Sequence, residues 1–335
     1  MRVGICDFPS AYAFPPYGYG GIERWLWAVA IGARRAGAEV VLLGPQWRTD
    51  LGEGWVRHPA RLEDLTDATG LRQLQLDLLV VGHEYPSLPA WRAISDQLDC
   101  DVATFQHWPY FSHLDDAFDG HRRRLYCYSR EMLERYSAHL PFAELAVHLG
   151  FGEVELPAQD GSDLVWLGRI DEQKAPHLAV LAAARAGRRI RVVGPVFDED
   201  YVARHGSLFA SDHVEMVGEI GGAEKAAVLR DAAALVYTAG RGYIEAGAAV
   251  FGEALRAGTP VAALTWGSGT CADAALCVDT GAVVRADPDA SDGDAGQALA
   301  DALDSAVSLR AVDVQEIGRS RFDPAQHFKT LATRP

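Results

Sequence analysis

Positive charge is in short supply in this chain: across 335 residues, 31 lysines and arginines face 46 aspartates and glutamates, leaving a formal net charge of −15. Nucleic acids and anionic membrane surfaces attract proteins through a broad positive field, so both are disfavoured as general partners. The one basic run, residues 121–124 with Arg130 after it, reads as a solvated surface or as a local steering patch for an anionic acceptor. Cysteine is scarce as well. Cys6, Cys100, Cys127, Cys271 and Cys277 are odd in number and form no C-x-x-C, which indicates neither a disulfide framework nor a zinc site and leads us to expect a reducing, cytoplasmic compartment. No apolar stretch approaches roughly twenty residues without a charge, and a strand is expected from the first residues on, so neither a membrane span nor a signal peptide is expected. Internal repeats of solenoid period are absent too.

With 49% hydrophobic and 23% charged residues, the chain has the composition of a soluble globular protein and enough length for two cores. Short β-rich runs at residues 3–6, 39–43, 77–81, 102–105, 125–128 and 145–148 alternate with helical patterns, the rhythm of a parallel sheet. A second series follows at 164–167, 190–193, 214–217, 235–237, 261–264 and 276–279. Residues 152–162, polar and interrupted by Pro and Gly, read as the linker between them. The expected fold class is therefore α/β: two Rossmann-like domains, 1–155 and 160–318, facing each other across a cleft, with a C-terminal helix in 319–335 packing back toward the first. Ile22, Leu26, Val29 and Ala33 are expected to form the core face of the first helix. A helix is expected from Lys174 to Arg185, stopped by Gly187, and a last one with Asp323 as N-cap and Pro324 at its first position. The Asp-, Gly- and Ala-rich stretch 286–296 reads as a solvent loop.

In open α/β sheets ligands sit at the carboxyl ends of strands, and the chemical motifs fall there. Residues 243–261 place Glu245 and Glu253 around a glycine-bearing turn that leads into a helix. Helix-end amides attract an anion and carboxylates accept from hydroxyls, so this pattern suits a ligand anionic in the middle and hydroxyl-rich at both ends, such as a nucleotide-sugar. Fully helical, the eight-residue step would span about 12 Å. After the strand ending at Gly168 come Arg169 and Lys174. A lysine at a helix start is electrostatically odd unless an anion sits there, which points to a phosphate clamp, with a surface pair between Arg169 and Asp171 or Glu172 as the plain alternative. Glycines in 18–23 could let amides approach a phosphate or could form a flexible loop. They are not a dinucleotide fingerprint, since Glu23 stands where a glycine is needed. Aromatic residues in 8–19, with Tyr17 and Tyr19 at the end, and Trp108, Tyr110 and Phe111 could form an acceptor wall or pack on their own domain. The D-x-D spellings at 198–200 and 292–294 lie in polar segments without further ligand spacing and are discounted as metal sites. His83, His113 and His148 read as structural histidines.

Together, the Glu-x7-Glu pair Glu245 and Glu253, Gly168 and Arg169 with Lys174 downstream, Gly20 and Gly21 with Glu23, and Gly258 to Val261 resemble glycosyltransferase family 4, retaining enzymes of GT-B fold, over nearly the whole chain. The resemblance implies that Arg169 and Lys174 hold the donor diphosphate, with Gly20, Gly21 and the amides of Gly247, Ala248 and Ala249 beside it. It implies that Glu253 binds the nucleotide ribose, that Glu245 and His107 contact the transferred sugar, that Gly218 and Glu219 lie beside the base, and that Ser129 lies near the cleft. The family's usual Phe-Gly after the first Glu is replaced here by Ala246, Gly247 and Ala248, its Lys-Gly by Lys174 and Ala175, and its later Gly-Gly-x-x-Glu by 267–271 without the acid. These departures bear on the donor sugar. The implied substrates are a nucleotide-sugar, UDP-linked by default, and a small-molecule or glycan acceptor, with no cofactor and no metal. Alanine- and arginine-rich runs and the short chain are similar to actinomycete antibiotic-pathway members. A sugar-nucleotide 2-epimerase of the same architecture and a degenerate binding module are the alternatives.

Overall fold

Aliphatic runs that carry no charge at their centres suit strands covered on both faces, and such runs form the central strands of the two parallel sheets, as at Leu78–Gly82 and Val261–Thr265. The computed structural model describes residues 1–60, 62, 68–82, 85–119, 122–140, 143–146, 148–150 and 154–332. His83 and His121 lie outside these. The chain divides into two compact units: Met1–Pro16, Gly20–Leu149 and Asp323–Pro335 form the first, and Tyr17–Tyr19 with Gly150–Phe322 form the second.

In the first unit, β1 (Arg2–Cys6), β2 (Glu39–Leu43), β3 (Val56–His58), β4 (Leu78–Gly82), β5 (Asp101–Phe105), β6 (Arg123–Cys127) and β7 (Ala143–Leu145) pair in the order β3-β2-β1-β4-β5-β6-β7. The second unit contains β8 (Asp163–Leu167), β9 (Ile190–Val193), β10 (Val214–Gly218), β11 (Ala232–Tyr237), β12 (Val261–Thr265) and β13 (Gly281–Arg285), ordered β10-β9-β8-β11-β12-β13. Both orders run outward from a first strand and then reverse, the doubly wound pattern, with switch points between β1 and β4 and between β8 and β11. Leu164, Trp166, Val192, Val236, Leu264 and Leu299 are among the side chains of the second core.

Several elements depart from expectation. β3 is a short edge strand whose Arg57 and His58 hide it from any hydrophobic pattern. β7 ends where a strand at 145–148 was expected to begin. Residues 276–279 are not a strand: the Cys277 N–H donates to Thr280 Oγ1 at 3.0 Å in a turn, and the strand is β13 just after it. The stretch 286–296 is a loop only in its first half. Ser291 accepts from the Asp294 N–H and starts the helix Asp292–Val307, whose Ala295, Leu299 and Leu303 are buried. Lys174 is not inside a helix either, because Ala175 takes a left-handed conformation (φ 45°) and the helix Pro176–Arg185 begins with its proline. The helix Gly21–Arg35 buries Trp25 to Ala30 and also Glu23 and Arg24, so it has no single core face, and Ile22 is only half-buried. The helix Pro324–Ala332 is capped as expected, Asp323 Oδ1 accepting from the Gln326 N–H at 2.7 Å, and it packs on Gly21–Arg35 in the first unit. Among the described residues no helix is long and apolar enough to cross a membrane.

Candidate functional site

At the second unit's switch point, the chain leaving β8 and the chain leaving β11 are bound to each other. The Trp166 Nε1–H donates to Thr238 Oγ1 at 2.9 Å, the Thr238 hydroxyl donates to the Lys174 carbonyl at 2.7 Å, and the Gly240 N–H donates to the Gln173 carbonyl at 2.8 Å. A Cβ at Gly240 would run into the Glu172 carbonyl, so only glycine permits this approach. The two loops bring Lys174 Nζ into an ion pair with Glu245, both side chains nearly buried, and the ammonium lies 5.4 Å from the centre of the Tyr243 ring. Burial first, and the neighbouring Arg169 guanidinium second, push the Lys174 pKa down to about 8, against the pull of Asp171. Arg169 Nε lies 3.1 Å from Asp171 and its Nη2 donates to Gln173 at 2.7 Å, so the local pair foreseen as the plain alternative is present in this structure. Two cations and two acids, Arg169 with Asp171 and Lys174 with Glu245, thus gather at one crevice. They can hold a dianion and contact a hydroxyl beside it.

Residues 245–248 are not helical, so the step from Glu245 to Glu253 is not the helical rise considered above. The helix Ala249–Ala257 begins after Ala248, its N-cap, which offers no side chain to the first amides. Gly247, Ala248 and Ala249 therefore stand at a helix end suited to an anion. Glu253 is in the second turn, buried, with its Oε1 2.7 Å from Lys225 Nζ. Sequence reasoning missed Lys225, because a lone lysine in an alanine-rich helix reads as a solvent-facing residue. Gly218 ends β10 with φ 83°, and Glu219 accepts from the Tyr19 N–H at 2.6 Å. Tyr19 packs on Phe197 with ring centres 5.6 Å apart, while the Tyr17 side chain is exposed.

In the first unit, His107 follows β5 with Nε2 3.3 Å from the Tyr128 hydroxyl and its ring 4.9 Å from Trp25. Trp108 and Tyr110 follow, half-exposed, with the Arg135 guanidinium over Tyr110. Ser129 is buried and its Oγ accepts from the Met132 N–H at 3.1 Å, capping the helix Arg130–Arg135. Gly20 is the N-cap of the first helix at φ 137°, a conformation that suits glycine, whereas a Cβ at Gly21 would meet nothing. Glu23 bonds to the Ser10 hydroxyl, and its pKa is raised, burial outweighing that bond. His113 and His148 sit in aromatic clusters, with Phe118 and Tyr136 and with Tyr128 respectively. Both D-x-D spellings serve helix starts: Asp198 caps Glu199–Arg204, and Asp292 bonds to Arg241 at 2.6 Å.

Residues 153–311 match the family model of glycosyl transferases group 1. Over 99% of its length the chain is similar in structure to AviGT4, a glycosyltransferase involved in avilamycin A biosynthesis, at 20% identity, a TM-score of 0.73 and 96% of that chain. It is similar to Anabaena Alr3699/HepE in complex with UDP and glucose, at 16% identity, a TM-score of 0.68, 99% of this chain and 98% of that one. A glycosyltransferase from Rickettsia africae ESF-5 matches at 15% identity and a TM-score of 0.69, over 99% and 96% of the two chains. No curated protein sequence matches. At these identities the structural likeness establishes the fold, the GT-B arrangement of two Rossmann-like sheets. Arg169, Lys174, Glu245 and the Lys225–Glu253 pair all lie within the stretch 153–311 that matches the group 1 model.

Proposed function

We propose that the protein is a retaining glycosyltransferase that moves a sugar from a nucleotide-sugar, UDP-linked by preference, to a hydroxyl of a natural-product or oligosaccharide acceptor. The observation that carries this reading is the Lys174–Glu245 pair, with Arg169 on its neighbour Asp171, at the carboxyl ends of β8 and β11 and inside the group 1 match. When the bond from the anomeric carbon to the diphosphate breaks, negative charge grows on the leaving phosphate. Arg169, Lys174 and the amides at the start of Ala249–Ala257 can stabilise that charge without rearrangement. Glu245 would hold the sugar and Glu253 the ribose. The acceptor hydroxyl then attacks from the face the diphosphate leaves and gives up its proton to the departing diphosphate oxygen. The UDP and glucose of the Anabaena structure favour a UDP-sugar donor, and the pathway named for AviGT4 favours a natural-product or oligosaccharide acceptor. The half-exposed Trp108 and Tyr110 offer faces for such an acceptor.

Replacing Arg169 by Ala should raise the barrier by about 3 kcal/mol, about a hundredfold in kcat/KM. Steady-state kinetics with a UDP-sugar measures it, and an unchanged kcat/KM would refute the clamp. With donor alone, slow hydrolysis supports transfer, while an epimerised donor would replace this reading with sugar-nucleotide epimerisation. Cationic side chains meet the charge demand in this scheme, so turnover should survive chelation of divalent metals.

A further inference from the structure

Of the chain's 31 cationic residues, three are lysines: Lys174, Lys225 and Lys329. Two of these three are held in nearly buried ion pairs with the two glutamates of the Glu-x7-Glu motif, Lys174 with Glu245 and Lys225 with Glu253. The Lys225 and Glu253 side chains are 11% and 6% exposed. They come from the helices Gly222–Arg230 and Ala249–Ala257, which pack on each other. The backbone next to Glu253 is held independently: a Cβ at Gly252 would lie 2.5 Å from the Gly150 nitrogen and 2.7 Å from its Cα, so the two chains touch there. With the helix fixed, the carboxylate's place depends on its own side-chain torsions, and the bond to Lys225 restrains these. An arginine fork would engage both carboxylate oxygens. A lysine is a point charge that takes one position on Oε1, and each carboxylate oxygen has two acceptor positions.

We propose that Lys225 is a positioning residue: it holds the Glu253 carboxylate where that group accepts hydrogen bonds from the vicinal hydroxyls of a nucleotide ribose. Lys225 thereby sets nucleoside-diphosphate affinity without touching the transferred sugar. The proposal rests on the reading that Glu253 faces the ribose.

The test is calorimetric titration of the full chain with UDP and with 2′,3′-dideoxy-UDP. A charge-assisted bond to the ribose should make the wild type prefer UDP by about tenfold or more. Lys225→Met should lose most of that preference, weakening UDP about tenfold while leaving the dideoxy compound unchanged. Donor KM should rise with kcat within about twofold, a split that a general loss of structure would not give. Lys225→Gln, which can still donate to Glu253, should fall between. A Lys225→Met protein with the full wild-type preference would overturn the proposal. If Lys225→Met does not fold, Lys225→Gln decides: a reduced preference supports the proposal and a full one overturns it. A wild type that binds both ligands equally would sink the ribose reading and this proposal together, yet leave the Arg169 clamp standing.

Discussion

The two sheets have the same opening order of strands, yet the chains that leave the carboxyl ends of their strands are dressed in opposite ways. In the second unit the loops after β8 and β11 present Arg169, Asp171, Lys174 and Glu245, charged groups that bond to one another. In the first unit the end of β5 lies among rings: Phe105, His107, Trp25, Tyr128 and His327. Two of these rings are kept neutral by burial. Burial lowers His327 to about pKa 4 and raises Tyr128 well above its ordinary value. Strand order decides where a crevice opens, and the side chains decide what can enter. One unit is equipped for charge and the other for shape.

That contrast can be broken most severely at Lys174. Lys174→Met removes a cation from the clamp and should lower kcat/KM about a thousandfold, as steady-state kinetics would register. In the wild type, kcat/KM should fall as pH rises through about 8, the value at which the free enzyme's Lys174 loses its proton. Stability should move the other way. The unfolded lysine keeps its proton to about 10.5, so between pH 8 and 10.5 the unfolded chain binds more protons and the fold gains stability as pH rises. Lys174→Arg should move the activity limb upward. If activity and melting temperature fell together as pH rose from about 8 to about 10, charge at this crevice would not be the controlling feature.

The next effect belongs to the first unit. His327 is neutral in the fold to about pH 4 but takes a proton near 6.5 when unfolded, so stability should be lost as pH falls through that window, by up to about 3 kcal/mol. Melting curves between pH 4 and 7 measure this, and His327→Leu should flatten the slope while leaving UDP binding unchanged. The smallest effect is expected at Trp108. Removing its half-exposed ring by Trp108→Ala should raise acceptor KM about fivefold, the worth of about 1 kcal/mol of ring contact, with donor hydrolysis unaltered.

Most of both sheets was legible because buried parallel strands are rich in consecutive apolar residues, as at residues 40–43 and 261–264, and at 39–43 and 190–193 the expected and observed bounds coincide. β3 was illegible for the opposite reason, being a short polar edge. At 276–279 an apolar run misled, since Thr280 draws it into a turn. Residues 286–296 misled by composition, because Ser291 and the acids after it are helix-start residues as well as loop residues. The candidate site was legible as a set of residue types. Its partnerships were not: nothing linear links Lys174 to Glu245, 71 positions away, or Lys225 to Glu253. Such pairs arise when parallel strands deliver distant loops to one end.

The scarcity of lysine has a practical side. Lys329 lies on an exposed helix surface, while Lys174 and Lys225 are engaged inside the second unit. Reagents that acylate primary amines and are too bulky to reach the nearly buried Lys174 and Lys225 should therefore modify Lys329 first, providing an attachment handle for surface immobilisation or fluorescent tagging that leaves the clamp intact.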